Sequence, residues 1–240
     1  MNCLIIAAGF NTRLAQITKG TPKGLLPVKG KLLIAHLLEQ ALRLKSINNF
    51  ALITNQKYFP HYQQFLASQK KYQKIRLINN EVLTNEDRLG AIGDILFALR
   101  SLRWDDDLLI LPSDTLIKIE LPKLLQFFKY NQKIVNVVTD VKDKKMIAKT
   151  LGCVQLNKNQ IIGFEEKPIQ PKSSITSVPI YIYPKDSQSL ILRFSEKGNN
   201  LDSPGSIIPW LINQTKVLGF KITNSHYQDI GTVEKYQQFK

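Results

Sequence analysis

The sequence contains only two cysteines, Cys3 and Cys153, each inside an apolar segment. They read as two buried thiols, not as a disulfide framework, and the expected home is a reducing cytoplasm. No apolar run reaches the roughly eighteen residues that a membrane helix needs, so no membrane span is expected. The chain enters an apolar stretch at Leu4, which leaves no room for a signal peptide. Acidic residues are scarce: 19 Asp and Glu stand against 33 Lys and Arg, a formal net charge of +14. Such a balance favours nucleic acid, a membrane surface or small anionic substrates. Nucleic-acid binders gather their charge, whereas here the lysines are spread, with only brief pairs such as Lys70-Lys71 and Lys144-Lys145. With no aromatic-basic interleaving either, no nucleic-acid partner is expected. A Ser-His-Asp or Cys-His set is also missing, which argues against covalent nucleophilic catalysis. Repeats and linkers are absent, so the chain reads as one domain over residues 1–240.

What is present is concentrated first in Leu4 to Val28. Leu4 to Ala8 is a short apolar run closed by Gly9, the pattern of a buried parallel strand. A loop of about a dozen residues is expected next, carrying Asn11, Thr12, Arg13, Thr18, Lys19, Thr21 and Lys23. A loop of that length is more often functional than a plain connector. It starts at the carboxyl end of the first strand, where open α/β sheets bind ligands. Glycine admits close backbone approach, and successive N–H groups make an anion cradle. Arg13 adds a planar fork and Lys23 a point charge, stiffened by Pro22 and Pro27. No Gly-Lys-Ser/Thr ends the loop, so it is not a P-loop. Asn11 and Leu14 occupy the places of the second and third glycines of a dinucleotide fingerprint. A solvated basic loop after a core strand fits the same residues.

Apolar periodicity predicts helices over residues 32–44, 59–68, 95–102, 121–130, 187–197 and 205–214 and a short terminal one. Strands are expected over 50–54, 75–78, 108–111, 135–141, 153–156, 161–165, 178–183, 217–222 and 225–228. The alternation predicts βαβ crossovers and an α/β fold with a mostly parallel sheet, followed by a smaller α+β lobe. His36 reads as a packed or capped side chain. Asp94 reads as a residue near a helix start, favoured by the macrodipole, or as a ligand contact. Gly90 and Gly93 suggest close backbone approach to a ligand or another segment. Asp114 follows the apolar run Leu108 to Leu111, as a turn residue or as a carboxylate for Mg²⁺. Glu166 and Lys167 fit a solvated ion pair.

Taken together and in order, several segments resemble one family. These are Gly9-Phe10-Asn11-Thr12-Arg13-Leu14, Thr21 to Val28, Asp87 to Asp94, Ser113-Asp114, Phe164 to Pro168, and Asp229-Ile230-Gly231-Thr232. The pattern is similar to that of sugar-1-phosphate nucleotidyltransferases, in particular short glucose-1-phosphate thymidylyl- or uridylyltransferases. The resemblance implies a Rossmann-like three-layer α/β/α core. It divides the chain into a nucleotide-side half, about residues 1–134, and a sugar-phosphate-side half, about 135–240. It implies transfer of a nucleotidyl group from an NTP (UTP, dTTP or CTP) to a sugar 1-phosphate, with loss of pyrophosphate and help from Mg²⁺. By the same resemblance Ala7, Ala8, Gly9 and Gly90 lie against the nucleotide. Arg13 stabilises the departing pyrophosphate, and Lys23 bridges the α-phosphate and the attacking phosphate. Asp114 and Asp229 hold the metal, Glu166 binds sugar hydroxyls, and Lys167 binds the sugar phosphate. The family often forms homo-oligomers. Six positions depart from its pattern: Asn11, Ser113 and Pro179 each replace a glycine, and Gln16, Gly24 and Leu32 each replace a proline. Alternatives are a cytidylyltransferase acting on a non-sugar phosphate such as phosphocholine, a glycosyltransferase of related fold, and a basic anion- or nucleic-acid-binding module.

Overall fold

The computed structural model describes residues 1–223, 227–230 and 233–239, without the side chains of Arg13, residues 227–229 and Lys235. In chain order the first half runs β1 (Asn2–Ile6), α1 (Ala15–Thr18), β2 (Pro27–Val28), β3 (Lys31–Leu32), α2 (Leu33–Leu42), β4 (Asn49–Thr54), α3 (Phe59–Ala67), β5 (Ile75–Asn79), α4 (Gly90–Leu102), β6 (Leu108–Pro112), β7 (Thr115–Ile117) and α5 (Leu121–Asn131). The second half runs β8 (Ile134–Asp140), β9 (Cys153–Asn157), β10 (Gln160–Glu165), β11 (Ile175–Tyr183), α6 (Ser189–Ser195), α7 (Ile208–Leu211), β12 (Val217–Ile222), β13 (Tyr227–Asp229) and α8 (Val233–Phe239). One sheet takes the order β5-β4-β1-β6-β11-β8-β12-β10-β9. Pairing is parallel from β5 to β6, and only β10 and β11 run against the other strands.

The apolar runs are continuous because both faces of the sheet are covered. Cys3, Ile5, Leu52, Leu109 and Leu111 face one layer, built by Leu37 and Leu38 of α2, Tyr62 and Phe65 of α3, and Leu124 and Phe128 of α5. The alternate residues Leu4, Ala51, Ile53, Leu108 and Ile110 face the other, built by Ile92 and Ile95 of α4, Ile191 and Phe194 of α6, and Leu211 of α7. This period of two produces the three layers. Each such aliphatic side chain contributes roughly 1.5–3 kcal/mol on burial.

Several boundaries differ from the sequence reading. The loop after β1 is not free of helix: a 3₁₀ turn over Thr12–Leu14 runs into the single turn of α1. Helix α4 begins at Gly90, not at residue 95, so Asp94 lies in its second turn. The expected 205–214 helix contracts to Ile208–Leu211, with Pro209 in its first turn, the place where proline is tolerated. The β9–β10 hairpin closes Asn157 on Gln160, with Lys158 at φ +53° in its turn. His36 is structural, its Nε2 lying 2.8 Å from the Val28 carbonyl.

Pro179 sits where the register between β11 and β8 shifts, between Val178 and Tyr181. A bulge is where a sheet accepts proline. Buried Asn136 completes it. Its Nδ2 donates to the carbonyls of Val178 at 2.9 Å and Ile180 at 3.3 Å, and Ser177 Oγ donates to its Oδ1 at 2.8 Å.

Candidate active site

A cleft of about 550 Å³ opens at the carboxyl ends of β1 and β6. Its floor begins with the loop that leaves β1. The carbonyls of that loop are tied back into the protein. Ala7 O accepts from Thr54 Oγ1 at 3.0 Å, Ala8 O from Asn55 Nδ2 at 2.8 Å, and Phe10 O from Tyr58 Oη at 3.0 Å. Among the described residues the N–H groups of Ala8, Gly9, Phe10 and Asn11 have no protein acceptor. A row of fixed, unpaired N–H groups is an anion receiver. A Cβ placed on Gly9 would meet nothing within 4 Å, so glycine there serves the open cleft and not packing. Asn11 is left-handed, at φ 56° and ψ 32°, a conformation that Asn tolerates better than other side-chain-bearing residues. That is how the chain does without glycine at this point.

Lys23 rises into the floor from a 3₁₀ turn, Lys23–Leu25, that follows Pro22. It is 7% exposed, and its Nζ donates to Asp114 Oδ2 at 3.0 Å. An ammonium so buried requires a partner. Asp114 follows β6 and remains 45% exposed in its side chain. Burial would push its carboxyl up, but the charge and hydrogen bond of Lys23 overcome this and hold it below the ordinary value. Gly24 and Ser113 are fitted to each other. A Cβ on Gly24 would stand 2.8 Å from Tyr62 Oη, 2.9 Å from Ser113 O and 3.2 Å from Ser113 Cβ. Two departures from the family pattern are therefore one local repacking.

Antiparallel pairing of β13 with β7 sets Asp229 opposite Thr115, which brings its backbone beside Asp114. The side chains of Asp229 and Arg13, and Gly231 and Thr232 altogether, lie outside the described residues. The Asp114 carboxylate is of the hard-oxygen kind that a divalent cation such as Mg²⁺ takes, and the backbone of Asp229 reaches the same strand ends. Among the described residues no three acidic, His or Cys side chains are grouped so as to hold a metal ion.

Across the cleft, Glu166 and Lys167 lie 3.8 Å apart in a loose pair. The Phe164–Glu166 stretch is seated in a notch between two glycines. A Cβ on Gly152 or Gly205 would stand 2.6 Å from the Phe164 ring, and one on Gly205 would be 3.1 Å from Glu166 Oε2. Gly90, at φ +76°, also lines the cleft. Its missing Cβ is explained by its own chain, because a Cβ would be 2.4 Å from the Leu201 carbonyl oxygen. Asp94 is not an exposed helix-start residue. It is buried at 6% exposure, lines the cleft, and accepts at Oδ1 from Asn80 Nδ2 at 2.7 Å. Burial pushes its carboxyl up to about 7, against the pull of that hydrogen bond. Asn55, Tyr58, Asn80, Gly152, Asp202 and Gly205 escaped the sequence reading, while Arg88 lay inside the Asp87–Asp94 segment without being given a role. Of these only the glycines and the Asn80–Glu81 corner after a strand carry a local signal.

A row of unpaired N–H groups, a buried ammonium and carboxylates thus meet at the carboxyl ends of the parallel strands of an α/β protein. The chain belongs to the nucleotidyl transferase family, whose sequence model matches residues 2–240. It is 28% identical over 234 residues to the bifunctional protein GlmU of Methanocaldococcus jannaschii, covering 96% of this chain and 51% of that protein. It is 26% identical to a glucose-1-phosphate adenylyltransferase of Clostridium novyi, covering 99% of this chain and 65% of that one. The chain thus spans about half to two thirds of the length of these curated relatives. A crystal structure of UDP-glucose pyrophosphorylase complexed with UDP-glucose superposes with a TM-score of 0.80 at 19% identity, covering 99% of this chain and 96% of that one. At that identity the likeness shows the fold. No described helix is long and apolar enough to cross a membrane.

Proposed function

We propose that the protein transfers a nucleotidyl group from an NTP to a sugar 1-phosphate, forming an NDP-sugar and releasing pyrophosphate. The observation that carries this reading is the row of unpaired N–H groups at Ala8 to Asn11 set beside the buried Lys23–Asp114 pair. The attacking phosphate oxygen is already an anion, so no general base is required. The barrier lies in bringing two polyanions into line, and positioning with charge neutralisation lowers it. In this reading the N–H row holds the triphosphate and Arg13 meets the departing pyrophosphate. Lys23 stands between the α-phosphate and the incoming phosphate. Asp114 orients Lys23 through their hydrogen bond, and with Asp229 it would hold a Mg²⁺ that neutralises phosphate charge. Glu166 and Lys167 receive the sugar hydroxyls and its phosphate.

A quaternary-ammonium acceptor such as phosphocholine is less well served. Such cations are recognised by aromatic faces, and the acceptor end of the cleft is lined by Glu166, Lys167, Pro179, Asn200 and Asp202, with no ring among its described residues.

The test is pyrophosphate release with Mg²⁺ from each common NTP against a panel of sugar 1-phosphates and phosphocholine. Release with at least one sugar 1-phosphate is expected, and silence across the panel would refute the reading. Lys23→Ala should lower kcat by roughly a hundredfold or more, the cost of losing one preorganised charge at a transferring group. A variant that is folded by circular dichroism yet turns over at the wild-type rate would remove Lys23 from its assigned role.

A further inference from the structure

The two walls of the cleft are joined at one rim by a single arginine. Arg88, just before α4, donates from Nε to Asp202 Oδ1 at 2.7 Å and from Nη2 to Asp202 Oδ2 at 2.8 Å. Its third donor, Nη1, reaches the Asn85 carbonyl at 2.9 Å. Asp202 belongs to the segment between α6 and α7, 114 residues away. Backbone bonds support the crossing: Ala91 N donates to Asp202 O at 3.2 Å and Ile92 N to Leu201 O at 2.9 Å. On the far side Asp202 N donates to Asn200 Oδ1 at 2.9 Å, and Ser206 Oγ to Asn200 O at 2.7 Å. The 200–206 segment is thereby fixed in itself. Residues 83–89 are tied less: apart from the bonds of Arg88, their hydrogen bond among the described residues is the exposed Thr84–Asp87 pair. Yet Asn85, Arg88, Asn200 and Asp202 all line the cleft.

The stretch from Asn85 to Arg88 stands on the nucleotide side. Val82, three residues before it, accepts at its carbonyl from Gln56 N at 3.0 Å. Neighbouring Asn55 holds Ala8. Asp202 stands on the acceptor side, near Lys167, whose charge together with the larger effect of Arg88 lowers its carboxyl. An ion pair this exposed contributes little to global stability. Its forked geometry instead fixes position.

We propose that Arg88 and Asp202 are positioning residues: Asp202 anchors Arg88, Arg88 holds the Asn85 backbone, and a segment of the acceptor half thereby sets the affinity for the nucleotide. The inference rests on the proposed reading of the cleft as a nucleotide site. It predicts an effect across the molecule that a purely local surface pair would not have.

The test combines titration calorimetry of each NTP with Mg²⁺, steady-state KM values, and thermal melting. Arg88→Ala and Asp202→Asn should each weaken NTP binding about tenfold, the worth of a lost charge-assisted hydrogen bond. The melting temperature should stay within a few degrees of wild type. Arg88→Lys, which keeps a charge for Asp202 but not the fork that also reaches the Asn85 carbonyl, should lose most of the same affinity. NTP affinity unchanged in Asp202→Asn, or wild-type affinity in Arg88→Lys, overturns the inference. If the wild-type protein binds no NTP at all, the nucleotide reading itself fails, a different result from equal binding by wild type and variants.

Discussion

Replacing Asp94 by Asn should stabilise the protein increasingly as pH rises. Asp94 is buried in the second turn of α4, and its Oδ1 accepts from Asn80 Nδ2. The Asn80 amide cannot turn round, because its Oδ1 already accepts from Val82 N at 3.0 Å. Among the described residues no cation pairs with Asp94, so burial dominates and its carboxyl is raised to about 7 from an ordinary 3.8. The sign follows from linkage. The unfolded chain releases this proton about three units earlier than the folded one, so the unfolded state binds fewer protons between about pH 4 and 7. Folding stability is therefore lost as pH rises through that window, and the loss levels off above the folded value. At 1.36 kcal/mol per unit the full penalty is about 4 kcal/mol. Asn at this position keeps an oxygen for Asn80 and does not titrate. Urea unfolding of both proteins at pH 4 and pH 8.5 reads the difference directly. The variant should gain about 4 kcal/mol on wild type between the two pH values. A gap that does not change with pH would show that Asp94 ionises freely in the fold and would refute the reasoning.

Two further substitutions test the packing around the cleft. Asn136→Leu should cost about 2–4 kcal/mol in denaturant unfolding, because the Val178 and Ile180 carbonyls and the Ser177 hydroxyl lose their buried partner. An unchanged midpoint would mean that the bulge at Pro179 holds itself. Gly24→Ala should cost about 1–3 kcal/mol through overpacking against Tyr62 and Ser113. Adding Ser113→Gly should return part of that loss. Strictly additive effects in the double variant would show that the two positions are not fitted to each other.

The layers were legible because their signal is local. Leu108 to Leu111 or Phe50 to Thr54 is a core strand wherever it sits, and the amphipathic spacing of Leu33 to Leu42 fixes a helix face. Lys23 and Asp114 were legible for another reason: the turn after Pro22 and the end of an apolar run place charged side chains where strand ends converge. The Arg88–Asp202 clamp was not: Arg88 lies in the Asp87–Asp94 segment that carries part of the resemblance, but Asp202 lies in a polar stretch without a motif, and only folding joins them. The start of α4 was missed because Gly90 and Gly93 weaken a helical pattern. The contact of Leu201 on Gly90 is what makes those glycines useful. Asp94 was misplaced with the helix start, and so its burial was invisible.

The start of α4 has a consequence for the cleft as a whole. A helix N-terminus beside a phosphate site commonly serves as its anion receiver. Here the N–H groups of Ala91 and Ile92 are already occupied by the carbonyls of Asp202 and Leu201. Two of the four free N–H groups of that helix start are therefore closed to an anion, while the loop after β1 keeps its unpaired row beside Lys23. A distant loop that caps one helix start thus leaves anion reception to the other side of the cleft.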